Sequence, residues 1–171
     1  PPHLIPLVEL VPGKHTDPGA IQQYRHFLQA LGKEPVVLNK EVPGHIANRL
    51  AAALWREAID LVLQGVASVE DVDKAVCSGP GLRWALMGQH MIYHLGGGAG
   101  GIEQFIDHPA PAFESWLQDL ADWTHLPEET REALSLGLSE SLQDRSVQDI
   151  ADWRDEKLME ILKAIYGKNE V

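Results

Sequence analysis

The stretch Glu41-Val42-Pro43-Gly44-His45-Ile46-Ala47-Asn48-Arg49-Leu50 divides the sequence into two styles. Upstream it reads as strand–helix–strand, and downstream as helix after helix. Pro43 lacks an amide donor and Gly44 permits a sharp turn, so the pair punctuates the change. A long helix is expected to open at once and to run from Ile46 to Leu63. Ala47, Leu50, Ala51, Leu54, Ala58 and Leu61 make one face, and Asn48, Ala52, Trp55, Ile59 and Val62 make a second. A helix apolar on two faces is either buried between layers or part of an oligomer interface. Asn48 sits in its first turn, as a helix cap contact or as an amide aimed at a bound oxygen.

Ahead of the junction, Leu4 to Val11 is a short apolar run ended by Pro12-Gly13, the pattern of a buried strand. Glu9 breaks that run. It is either a strand residue facing solvent by alternation or a buried acid kept for a partner. Thr16-Asp17-Pro18 opens a helix with the stripe Ile21, Tyr24, Phe27, Leu28 and Leu31, closed by Gly32. Glu34 to Leu38 is the second strand. A piece of about 40 residues is at the low edge of what folds alone and has the look of the tail of an α/β domain.

Beyond the junction, Gly65 ends the long helix and Ser68 caps the next, which Gly79-Pro80-Gly81 breaks. Leu82 to Leu95 is expected to be one helix, with Arg83 at its mouth, followed by a flexible loop at Gly96–Gly101. Three further helices are expected over about 111–123, 127–142 and 147–166. The fold class is mainly α.

Composition excludes more than it assigns. A net charge of −11 lacks the basic footprint that nucleic acid or an anionic membrane surface requires. No run approaches a membrane span. The single cysteine, Cys77, permits no intrachain disulfide and suits a reducing cytoplasm, where it is expected as a small core residue. The chain opens on Pro1-Pro2-His3, without a signal peptide or an initiator Met, and reads as a piece of something longer. Gly96, Gly98 and Gly101 match G-x-G-x-x-G only formally, because a helix rather than a strand precedes them. His90 and His94 share a metal-compatible spacing but no third ligand, so no metal is expected. Arg83 could clamp a carboxylate in bidentate fashion or form a surface or intersubunit ion pair.

Three stretches together resemble the 3-hydroxyacyl-CoA dehydrogenase superfamily. Pro1-Pro2-His3-Leu4-Ile5-Pro6-Leu7-Val8-Glu9 is similar to the segment that follows that family's catalytic histidine and ends in a catalytic glutamate. Lys40 to Leu50 resembles the junction between its NAD-binding and helical domains. Gly79-Pro80-Gly81-Leu82-Arg83-Trp84-Ala85-Leu86-Met87-Gly88 resembles the branch acting on small hydroxy acids, L-gulonate 3-dehydrogenase (lambda-crystallin) and L-carnitine dehydrogenase, as does Trp153-Arg154-Asp155-Glu156-Lys157-Leu158.

The resemblance implies a multi-helical C-terminal dehydrogenase domain, of the 6-phosphogluconate dehydrogenase C-terminal-like kind, at 42–171. Residues 1–41 would be the remnant of the N-terminal Rossmann domain. It further implies Glu9 as the partner of a histidine base, Asn48 on the substrate oxygen, Arg83 on the carboxylate of a free acid, and a homodimer. The substrate would be a small hydroxy acid or an acyl-CoA. The family's histidine and glycine-rich NAD loop precede the segment matched by Pro1. NAD is therefore expected in the full-length protein, and this fragment alone is expected neither to bind it nor to catalyse. Two departures stand out: Gly88-Gln89-His90 replaces a common Gly-Pro-apolar run, and His45 replaces a common aromatic. The rival expectation is a non-catalytic helical dimerisation or interaction module.

Overall fold

A computed structural model of the protein describes residues 2–167. Pro1, the first residue of the first matched stretch, and residues 168–171, the end of the expected helical domain, lie outside them. By their contacts the described residues form two units. One gathers the residues up to Leu54 with those from Arg145 onward, and the other is Trp55–Asp144.

In the first unit, β1 (Leu7–Leu10) and β2 (Glu34–Val37) pair in parallel, with Glu9 opposite Val36. A parallel pair needs a crossover, and α1 (Pro18–Ala30) supplies it. Asp17 caps α1 by accepting the Gly19 N–H at 2.9 Å, and Pro18 takes the first helical position, where its missing donor costs nothing. The pairing extends past β2, where the Leu38 N–H donates to the Leu10 carbonyl and the Leu38 side chain is buried. The same unit holds the start of α2 (Ala47–Leu63) and all of α9 (Val147–Tyr166). Leu162 and Tyr166 of α9 share a hollow with Leu4, Pro6 and Leu31. The expected apolar stripe of α1 is only partly covered, for Tyr24, Phe27 and Leu31 are exposed.

In the second unit, Ile59 on the later turns of α2 is wholly buried. Val69 and Val72 of α3 (Val69–Ser78) and Leu134 and Leu138 of α8 (Thr130–Leu142) line the same hollow. Ser68 caps α3 as expected, accepting the Asp71 N–H. The segment that leads into α8 is tied to α2 by two carboxylates. Glu57 Oε2 accepts the Ala121 N–H and Asp60 Oδ1 accepts the Trp123 Nε1–H, each at 3.0 Å.

Three expectations need correction. Leu82 to Leu95 is not one helix: α4 (Pro80–Trp84) stops, and α5 (Gln89–Gly96) restarts from an extended Gly88. The glycine run is not a loose loop. Gly98–Gly100 form one 3-10 turn, and α6 (Gly101–Asp107), unforeseen in the sequence, follows directly, ahead of α7 (Ala110–Asp119). A Cβ on Gly97 would lie 1.7 Å from the Gly101 carbonyl oxygen, so these glycines let the turn close against itself. Tyr93, Phe105, Phe113 and Trp116 stack in succession beside it, with ring centroids 4.7–5.5 Å apart. Third, Cys77 is exposed rather than a core residue. Among the described residues, no helix is long and apolar enough to cross a membrane.

Candidate functional site

Glu9 lies mid-strand in β1 and is half-buried. Its side chain reaches the start of α2, where Oε1 accepts the Ile46 N–H at 2.7 Å and the Ala47 N–H at 3.4 Å. The first amides of a helix have no partner within it, and a carboxylate there also meets the positive end of the helix dipole. Glu9 therefore does from another element what an N-cap residue does from its own. Of the two readings weighed from sequence, the acid has its partner, although it is half-buried rather than buried. Oε2 accepts no bond from the described residues.

The backbone that presents those amides is unusual. The His45 N–H donates to the Val42 carbonyl at 3.0 Å, with Pro43 and Gly44 between them and Gly44 at φ 76°. Pro followed by a left-handed glycine is the sequence of a type II turn. His45 follows at φ 50°, a region that costs a non-glycine residue about 1–3 kcal/mol and persists only where the surroundings over-determine it. Two left-handed residues in succession turn the chain so that the next two amides meet Glu9.

Asn48 sits one residue past the Ala47 amide, so Glu9 and Asn48 come to the same helix end. The Asn48 side chain is exposed and bonds to none of the described residues, so it is not a cap contact. Arg83 belongs to the other unit, on α4. Its carbonyl accepts the Leu86 and Met87 N–H groups at 3.0 Å, and its exposed guanidinium pairs with no described residue. The intersubunit or surface ion pair weighed from sequence thus has no partner within the described chain.

His94 Nδ1 accepts the Ile102 N–H at 3.1 Å, which commits one ring nitrogen to the first turn of α6. Among the described residues no group of three or more His, Cys, Asp or Glu side chains could hold a metal ion. Nor do the glycines at 96–101 make a phosphate cradle, since they close a turn between two helices. Sequence reasoning missed Arg49, whose Nη1 donates to the Pro43 carbonyl at 3.4 Å, and the carboxylates Glu57 and Asp60. Their only signal was polar residues on an otherwise apolar helix, for the bonding partners of Glu57 and Asp60 lie 64 and 63 residues away.

The comparisons with known proteins fall on this geometry. The family model for the 3-hydroxyacyl-CoA dehydrogenase C-terminal domain matches residues 44–135, more than half of the chain. The chain belongs to the 3-hydroxyacyl-CoA dehydrogenase family. The model for the NAD binding domain of that family matches residues 1–42, the stretch that carries Glu9. Among curated relatives of this 3-hydroxyacyl-CoA dehydrogenase family member, an L-carnitine dehydrogenase of Streptomyces coelicolor is 42% identical over 165 residues, covering 96% of this chain and 51% of its own. A 3-hydroxyacyl-CoA dehydrogenase of Gibberella moniliformis is 41% identical over 170 residues, with 96% and 52% covered. Among solved structures, 5-formyl-3-hydroxy-2-methylpyridine 4-carboxylic acid 5-dehydrogenase, an NAD+-dependent dismutase, superposes with a TM-score of 0.78 at 26% identity. That match covers 98% of this chain and 54% of the other. The mainly helical fold with its short parallel strand pair is therefore a dehydrogenase fold, as the sequence implied. The chain spans about half the length of the curated relatives it matches.

Proposed function

We propose that the chain is the C-terminal part of an NAD-dependent dehydrogenase that oxidises the 3-hydroxyl of a small hydroxy acid or a 3-hydroxyacyl-CoA. Residues 1–41 are the end of its NAD-binding domain, and 42–171 its helical substrate-binding and dimerisation domain. NAD, held by the remainder of the enzyme, supplies the hydride acceptor.

The observation that carries this reading is the state of Glu9. One carboxylate oxygen is fixed by the Ile46 and Ala47 amides and the other accepts nothing from the described residues. A carboxylate so anchored can orient an imidazole and stabilise the imidazolium formed when the base takes a hydroxyl proton. Asn48, with an unengaged carboxamide at the same helix end, holds the substrate oxygen. Arg83, with an unpaired guanidinium, takes the carboxylate of a free acid, which favours small hydroxy acids such as carnitine over CoA thioesters.

The test is kinetic. In the full-length enzyme, Glu9→Gln and Asn48→Ala each lower kcat about 10²-fold or more, the usual scale of an acid–base contribution. Unchanged turnover in both removes the assignment. Arg83→Met raises KM for free hydroxy acids and leaves CoA esters unaffected; equal effects on both would dismiss the clamp. A panel of carnitine, gulonate, 3-hydroxybutyrate and its CoA ester fixes the substrate. No NAD-dependent oxidation of any of them would leave the helical interaction module as the better account.

A further inference from the structure

We propose that Arg49 is a positioning residue for Glu9, acting through the turn at Pro43–His45. The role assigned to Arg49 rests on that proposed for Glu9.

Three observations converge on Arg49. Its Nη1 donates to the Pro43 carbonyl at 3.4 Å, a long bond that nonetheless ties the first turn of α2 back to the residue opening the junction turn. Its aliphatic stem lies along Gly44, where a Cβ would meet Arg49 Cγ at 3.3 Å. The turn under it is the strained one, with Gly44 at φ 76° and His45 at φ 50°. Beyond the turn's own bond from the His45 N–H to the Val42 carbonyl, a strained turn needs an external hold, and the Arg49 side chain over Pro43 and Gly44 supplies one.

What the turn delivers is the pair of amides on Glu9. If Pro43–His45 relaxes toward ordinary backbone angles, the Ile46 and Ala47 N–H groups rotate away and the carboxylate loses its anchor. Glu9 is then free to change rotamer, and its second oxygen no longer has a fixed direction. Arg49 touches neither substrate nor base in this scheme. It acts on the base at two removes, through backbone conformation and then through Glu9.

The test separates this role from the role of Glu9 itself. In 1H–15N spectra of the chain, Glu9→Gln moves the Ile46 amide proton upfield, since a short bond to a charged acceptor is lost. Arg49→Met, which keeps the stem and removes the guanidinium, moves the same resonance in the same direction. Arg49→Lys, which restores a donor on a long stem, recovers part of the shift. Resonances of α3 and α8 stay in place and report that the fold is intact. In the full-length enzyme, Arg49→Met lowers kcat by up to about 10²-fold, the cost of a misplacement near 1 Å, with KM unchanged. An Ile46 amide unmoved by Arg49→Met overturns the proposal, and so does a moved amide with wild-type kcat. Full turnover in Glu9→Gln is a different result: it withdraws the role of Glu9 without reference to any Arg49 variant.

Discussion

Gly101 shows what a single residue contributes to this chain. Its φ is 60°, and a Cβ there would sit 2.5 Å from His94 Cε1. That ring cannot swing away without giving up its bond to the Ile102 N–H. Gly101→Ala therefore meets two penalties, an unfavourable backbone angle and a clash with a committed side chain. It is expected to destabilise the chain by about 1–3 kcal/mol, read as a fall in the urea midpoint with an unchanged slope. A loose loop would tolerate the change. The glycine run looked like a loose loop in sequence because composition reports only permissiveness, whereas the close approach of Gly97 to Gly101 depends on how α5 meets α6. Glu9 was legible in the same partial way. Its oddness inside an apolar run showed that it needed a partner, but the partner is a main-chain amide 37 residues on, and no side-chain pattern encodes it.

At the scale of elements, α9 makes the plainest case, since its start was written in the sequence and its pH response follows from that start. Ser146 accepts the Asp149 N–H at 3.1 Å while the Asp149 carboxylate accepts the Ser146 N–H at 2.9 Å, a reciprocal capping box. Hydrogen bonds from the Ser146 side chain, then from its backbone, hold the Asp149 carboxyl below the usual carboxylate value. A group whose pKa is depressed on folding contributes stability above its unfolded value, and that contribution is lost as pH falls through the folded one. Amide exchange in the first turn of α9 should accelerate, beyond the intrinsic trend, as the solution is acidified through the carboxylate range. Ser146→Ala removes the side-chain bonds and keeps the backbone one, so it should reduce that acceleration without abolishing it. An acid response undiminished in Ser146→Ala would place its origin elsewhere. Where punctuation was explicit, as at Asp17-Pro18, Ser68 and Ser146, the elements were legible to within a few residues. The break between α4 and α5 was not, because Leu82 to Leu95 keeps an apolar helical rhythm across the gap and Gly88 alone marks it. The seven-residue α6 was hidden for a related reason: it begins on the last glycine of a run that suggests no helix at all.

For the whole molecule, the open question is what covers the apolar side chains this chain leaves in water. Leu50 is 62% exposed and Leu54 39% exposed, one turn apart on the first half of α2. From sequence a helix apolar on two faces belonged either between layers or in an oligomer interface, and both leucines are exposed here. The dimer proposed above would use them. Burying one leucine is worth about 1.5–3 kcal/mol, and a stable interface removes roughly 1,200–2,000 Å² from water, so Leu50 and Leu54 can contribute to such a surface but cannot supply it alone. A carboxylate on that face would have to be desolvated without a partner, which costs more than the leucine contributes. Leu50→Glu should therefore convert a dimer to a monomer in sedimentation velocity, while the helical circular dichroism stays as it was because the position is already exposed. A variant that remains dimeric would show that α2 faces something other than a second copy. The remainder of the proposed dehydrogenase would then be the next surface to test, by asking whether Leu50→Glu alters that longer protein and leaves this chain unchanged.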